Sequence, residues 1–283
     1  MYEEFYGLAR SPFEVSPDPF FFYPTPRHME ALATLAYGVL RRKGFVVVTG
    51  EVGTGKSLLA QCLFETLRKN NVAFAYVCNP TISIPEFLTG VIHDLGLPPS
   101  TTRNKSEVLS RLNDYLMERS NQNLTTALVV DEAQLLSWEL LEEIRLLTNL
   151  ETTQHKLLQI VLLGQPEFDR KLDSQQLRQL KQRVGLRCCL KPLDLEELKG
   201  YIHRRLQLAG VNSQAAAIFP DETVAVIQEF SRGIPRLVNI LCETSLLLGF
   251  GRCQRQISSD IVHEVANDLR LDSSKEGSAA NVR

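Results

Sequence analysis

The chain has 283 residues, 44% of them hydrophobic, and a formal net charge of −2. That length holds one large or two modest domains with a substantial core. The near-zero charge excludes the global basic field of a nucleic-acid binder, and no apolar run is long enough to span a bilayer. Six cysteines form no C-x-x-C pair and no zinc spacing with histidine, and they read as small buried hydrophobes of a reducing compartment. The start, Met1-Tyr2-Glu3-Glu4-Phe5, lacks the basic and apolar stretches of a signal peptide, so the expected location is cytoplasmic.

Residues 1–25 are dense in proline and aromatics, from Phe5 and Tyr6 through Pro12-Phe13 to Phe20-Phe21-Phe22-Tyr23-Pro24. Proline at this density excludes a long helix, and the segment reads as an extended arm that packs on a domain and leads toward the site. Pro26 to Arg42 reads as a helix with proline in its first turn. The apolar run from Phe45 is a strand, and Leu58 to Arg68 is helical. Val72–Val77 is the next strand, followed by helices over Ser83–Leu95, capped by Ser83, and Lys105–Arg119, with a turn over 98–102 between them. Ala127–Val130, Leu157–Leu163 and Gly185–Leu190 are further strands, separated by helices over Ser137–Leu150 and Glu167–Val184. The acidic face Glu139, Glu142 and Glu143 reads as solvated. Strands alternating with helices predict a parallel sheet covered on both faces. After residue 192 the strands stop. Helices over Asp194–Leu208, Asp221–Phe230, Ile234–Phe250 and Ser258–Leu269 predict a small helical domain over 193–270, and the polar tail over 271–283 is expected to be disordered.

Gly50-Glu51-Val52-Gly53-Thr54-Gly55-Lys56-Ser57 matches G-x-x-x-x-G-K-S/T between a strand and a helix, the setting in which the pattern binds phosphate. Glycines let backbone N–H groups converge on phosphate oxygens, and the following helix points its positive end at them. Lys56 is a point charge for the β- and γ-phosphates, and Ser57 offers a hydroxyl to Mg²⁺. Residues Gly50 through Leu58 are therefore the expected ATP-binding set.

Asp131-Glu132 ends an apolar strand, and ligands of parallel sheets sit at the carboxyl ends of strands. Asp131 is the expected second metal residue, and Glu132 the group that orients or deprotonates the attacking water. Gln165 ends the strand expected between those of the phosphate loop and Asp131, where its amide meets the γ-phosphate or the water. Arg236, in Gly233-Ile234-Pro235-Arg236, starts a helix from which a guanidinium reports ATP against ADP. Arg183 is the first candidate for an arginine supplied in trans, ahead of Arg178 and Arg187, and the same cluster also suits nucleic-acid phosphates. An arginine in trans implies a ring or helical homo-oligomer. His28 and His93 have no metal-ligand company.

Together, Gly50–Ser57, Asp131-Glu132, Gly164-Gln165-Pro166-Glu167 and Gly233-Ile234-Pro235-Arg236 resemble the AAA+ ATPase family. The arm, with Phe5-Tyr6-Gly7-Leu8, Pro12-Phe13 and Pro17-Asp18-Pro19, is similar to that of the ExeA/GspA (general secretion pathway protein A) type within it. The resemblance implies a five-stranded parallel sheet of order 5-1-4-3-2 over residues 26–192, a helical lid, ATP-driven assembly, and secretion or envelope-export proteins as partners. It implies Gln165 and Arg236 as nucleotide sensors and Arg183 as the arginine finger. Secretion-type members usually continue into a membrane-spanning helix and a peptidoglycan-binding module, neither of which this sequence has, and Gln165 stands where asparagine or threonine is common. The type is also similar to TniB-like transposition helpers, which gives DNA binding as the alternative function.

Overall fold

The computed structural model describes residues 1–98, 104–153, 155–210 and 218–271. Past Pro98, the turn expected over 98–102 lies outside them, as does the expected tail past Leu271. The chain separates into two units, one made of 26–50 and 56–190 and the other of 1–25, 51–55 and 191–283.

The first unit is a five-stranded sheet. Its strands are β1 (Phe45–Gly50), β2 (Ala73–Val77), β3 (Thr126–Val130), β4 (Leu158–Gly164) and β5 (Val184–Leu190). All neighbours are parallel, in the order β2-β3-β4-β1-β5. This is the expected 5-1-4-3-2 order read from the other edge. Every residue of β1, β3 and β4 is buried, as β-branched and leucine runs between two helical layers should be. Burial alternates along the edge strand β5, which explains why Cys189 is exposed there. Cys78 and Cys253 are also exposed, so the expectation of buried cysteines holds fully only for Cys242.

The helices of this unit are α2 (Pro26–Leu40), α3 (Lys56–Lys69), α4 (Ile84–Asp94), α5 (Lys105–Asn121), α6 (Trp138–Leu147), α7 (Pro166–Leu172) and α8 (Arg178–Lys181). Their starts follow the sequence closely. Ser83 caps α4 in a capping box with Glu86, and Ser137 caps α6 by accepting from the Leu140 N–H. The acidic face of α6 is only partly solvated. Glu143 is 4% exposed and pairs with Lys105 at 2.6 Å, because α6 turns that position toward α5.

The second unit is helical. It holds α1 (Tyr2–Tyr6), α9 (Leu195–Leu208), α10 (Asp221–Ser231), α11 (Pro235–Gly251) and α12 (Ser259–Asp268). The arm is less extended than its prolines suggest, with α1 at its start and a 3₁₀ turn at Pro19–Phe21. Its aromatics belong to the helical core: Tyr2, Tyr6, Phe13 and Phe21 pack among Leu198, Leu206, Ile227 and Leu241. Full burial of Phe13 and Phe21 stabilises this packing by about 2 kcal/mol each.

In the α/β unit, α2 runs very close to the sheet at Gly38. A Cβ there would overlap Val46 Cγ2 and press on Leu186 Cδ1 at 3.2 Å. Helix propensity alone favours Gly38→Ala by about 1 kcal/mol. Overpacking against a stiff, buried valine costs about 1–3 kcal/mol and decides the sign. We expect Gly38→Ala to lower the urea midpoint and Gly38→Leu to lower it further. A midpoint raised by Gly38→Ala would refute the close contact.

Candidate nucleotide site

The register of the sheet brings three strand ends together. Thr49 of β1 faces Gly164 of β4, and Val130 of β3 faces Leu162 of β4, so the residues following all three strands emerge on one edge. Gly50, Asp131 and Gln165 stand there, with Lys56 and Ser57 opening α3. All of these belong to the α/β unit.

Lys56 is 6% exposed and its Nζ donates to the Gly50 carbonyl at 2.8 Å, which turns the ammonium back over the loop. Ser57 Oγ donates to Asp131 Oδ2 at 2.9 Å. The Tyr76 hydroxyl donates to the same oxygen at 3.4 Å, and burial, then the Asp131 charge, pushes this phenol well above its usual range. Asp131 is 4% exposed, and its N–H donates to Val77 O at 2.9 Å, so β2 and α3 both fix its position. A serine hydroxyl beside a carboxylate is a hard-oxygen pair. It fits Mg²⁺, which takes one or two protein oxygens and fills its octahedron with phosphate and water.

Glu132 sits in the left-handed region, φ 52°, an uncommon conformation for a residue with a Cβ. Its N–H donates to Asp131 Oδ1 at 2.8 Å, and its carbonyl accepts from Leu135 N–H at 2.9 Å. Its carboxylate Oε2 accepts from Gln165 Nε2 at 3.0 Å and from Gln134 Nε2 at 2.5 Å. Burial alone would raise this carboxyl. Hydrogen bonds from Gln134 and Gln165 and the charge of Lys56 outweigh burial and hold it below the usual carboxylate range. Glu132 is therefore ionised at neutral pH, as a group that orients water must be.

Gln134 and Tyr76 are absent from the sequence expectations. The signal for Gln134 was its place two residues after Glu132. Tyr76 had none, since it reads as one more aromatic of a strand.

Residues 51–55 of the phosphate loop belong to the helical unit. Thr54 is buried, and its Oγ1 donates to Glu51 O at 2.8 Å. The Arg236 N–H, in the first turn of α11, donates to Gly53 O at 3.2 Å. The Arg236 side chain is exposed and meets no hydrogen-bond or ion-pair partner among the described residues. Val52 is half exposed.

The three arginines near β5 differ. Arg183 donates to Arg145 O at 3.1 Å and to Thr148 Oγ1, which ties it to the carboxyl end of α6. Arg187 pairs with Asp169. Arg178 is exposed and has no such partner among the described residues.

A family model described as an AAA domain matches residues 39–172. General secretion pathway protein A of Aeromonas hydrophila is 39% identical over 257 residues, which is 91% of this chain and 46% of that protein. The chain thus spans about half the length of that relative. Among solved structures, Cdc6p from Pyrobaculum aerophilum aligns with a TM-score of 0.68 at 18% identity, covering 95% of this chain and 73% of its own. The ORC2 protein of Aeropyrum pernix, in ADPNP–ADP complexes, aligns with a TM-score of 0.64 at 18% identity, covering 89% and 72%. These two show the same fold. No helix among the described residues is long and apolar enough to cross a membrane.

Gly53 tests the loop. Its φ is +81°, and a Cβ there would lie 2.7 Å from Arg236 Cβ and 3.0 Å from Ile234 Cγ2. Strain of about 1–3 kcal/mol at this residue corresponds to a loss of roughly 5- to 150-fold in affinity. We expect Gly53→Ala to weaken ATP binding by a factor in that range in calorimetry. Wild-type affinity would show that the loop tolerates the side chain.

Proposed function

We propose that this chain, which matches an AAA domain over residues 39–172 and is similar to general secretion pathway protein A, is an ATPase of that type that hydrolyses ATP with Mg²⁺ as a homo-oligomer. We propose further that it uses the ATP/ADP difference to assemble or remodel a secretion or envelope-export machine. The observation that carries the chemistry is the Ser57–Asp131 hydrogen bond beside the doubly held Glu132 carboxylate.

In this reading Gly50 to Leu58 wrap the phosphates, and Lys56 neutralises charge on the β- and γ-groups. Ser57 and Asp131 hold Mg²⁺, which supplies electrostatic stabilisation of the transferring phosphoryl group. Glu132 orients the attacking water and accepts its proton. Gln165 fixes Glu132 and lies at the end of β4, where a γ-phosphate is sensed. Arg236, whose N–H donates to Gly53 O, distinguishes ATP from ADP and passes the difference to α11. An arginine from a neighbouring copy completes the charge stabilisation. Arg183 is the residue the family pattern points to, and Arg178 is the one whose guanidinium has no partner among the described residues.

The relative's name supports secretion machinery as the partner, and the expected place of action is the cytoplasmic side of the inner membrane. Light scattering on Glu132→Gln tests assembly. With ATP and Mg²⁺ we expect a discrete oligomer that duplex DNA leaves unchanged. A monomer under these conditions would defeat the oligomer reading. Large particles formed only with DNA would replace the secretion reading with that of a DNA-loading helper.

A second expectation concerns the loop lysine. Lys56→Ala should lose ATP binding in calorimetry, since it removes the buried ammonium that faces the phosphates. Retained binding would place the nucleotide elsewhere.

A further inference from the structure

The geometry points to Gln134 as the positioning residue of hydrolysis, acting by holding Glu132 so that one carboxylate oxygen alone faces the water. This rests on the reading of Glu132 as the group that orients that water.

Gln134 is half-buried in the 3₁₀ turn Ala133–Leu135. Its side chain bridges two groups of opposite character. Its Oε1 accepts from the Gln165 N–H at 3.0 Å, and its Nε2 donates to Glu132 Oε2. The orientation of the amide follows from chemistry, because a backbone N–H only donates and a carboxylate only accepts. The reversed amide would break both bonds at once. Gln134 is therefore locked to β4 on one side and to the acid on the other.

The two amides converge on the same oxygen. Gln165 Nε2 and Gln134 Nε2 both donate to Oε2, and no donor among the described residues reaches Oε1. The last torsion of a glutamate side chain is soft and roughly two-fold. One donor leaves the carboxylate free to swing, whereas two donors from different segments fix its plane. Oε1 is then the single acceptor available to water.

The turn that carries Gln134 is itself braced. Lys171 Nζ of α7 donates to Gln134 O at 3.4 Å and to Leu136 O, and lies 5.0 Å from the Trp138 ring centroid. Gln165 is the N-cap position of the same helix. Both ends of the Glu132–Leu136 segment thus refer to α7, and Glu132 keeps its left-handed backbone within that frame. Gln134 touches the carboxylate, as Gln165 does, and also holds the Gln165 N–H, so it links the two supports of the acid.

Single-turnover hydrolysis of Mg·ATP by the full chain tests the assignment, using Gln134→Met, Glu132→Gln and the double variant. A misplaced catalytic group costs up to about 100-fold, so Gln134→Met should lower the hydrolysis rate by about 10- to 100-fold. ATP affinity should stay within about twofold, because an interaction with the acid alone does not bind ground-state nucleotide. In the Glu132→Gln background Gln134→Met should have no further effect, since its only route to the reaction is gone. Should Gln134→Met fail to fold, Gln134→Asn, with the same amide one methylene shorter, is held to the same criteria. A wild-type rate in Gln134→Met, or an equal drop in the Glu132→Gln background, would overturn the role of Gln134 while leaving Glu132 in place. A wild-type rate in Glu132→Gln would instead overturn the hydrolysis reading, and this inference with it.

Discussion

A single hydrogen bond, from the Ser57 hydroxyl to the Asp131 carboxylate, ties the first turn of α3 to the end of β3, although 74 positions separate the two residues. The proposed metal-assisted chemistry depends on that meeting. It exists because β1 and β3 both pair in parallel with β4, in a register that brings their carboxyl ends to one edge. A slip of one residue in β3 would turn the side chain at 131 to the opposite face. Close packing on both faces of the three central strands resists that slip, since each buried leucine and valine would have to refit a different set of neighbours. The core thus acts as the alignment device of the site, and the polar residues at its edge inherit the precision of its packing.

A different logic holds the helical unit. Arg205 on α9 is 4% exposed and meets no carboxylate among the described residues. Its guanidinium donates to the carbonyls of Pro12 and Glu14 and to the Tyr201 hydroxyl, and lies over the Phe13, Phe21 and Tyr201 rings. Five fixed N–H donors make arginine able to satisfy an irregular, proline-bent backbone that cannot satisfy itself. Asn239 of α11 adds a bond to the same Glu14 carbonyl and accepts from Tyr201. The arm is in this way an internal part of the helical unit. Together with residues 51–55 it places a share of the phosphate loop in the same unit as Arg236.

Most of this was legible in the sequence where one residue type admits one solution. The phosphate loop, the acid pair after an apolar strand, and the cap Ser83 declared themselves, because glycine at fixed spacing and short polar residues before apolar runs have few other uses. Periodicity placed the strands and helices, and their order gave the sheet. What stayed hidden depends on contacts made at long range. Tyr76 reads as a strand aromatic and becomes a site residue only when β2 lies beside β3. Glu143 reads as one more surface acid and is buried because α5 offers Lys105. The arm reads as extended, yet its first residues are helical because Tyr2 and Tyr6 bury in a core built from residues two hundred positions on. Arg183 reads as an arginine supplied in trans, and its hydrogen bonds to the end of α6 emerge only with the fold.

Coordination of a nucleotide-bound divalent cation by Ser57 and Asp131 is the central element of the proposed site. Manganese electron paramagnetic resonance reads this directly, with Mn²⁺ titrated into the ATP-saturated chain and into Asp131→Ala. This coordination predicts a tightly held Mn²⁺ in the wild-type chain. It predicts a large loss of Mn²⁺ affinity in Asp131→Ala, with ATP still bound through Lys56 and the loop. Equal Mn²⁺ affinity in the two proteins would contradict it, since the metal would then be held by other groups and the alignment of β1 and β3 would serve no catalytic site.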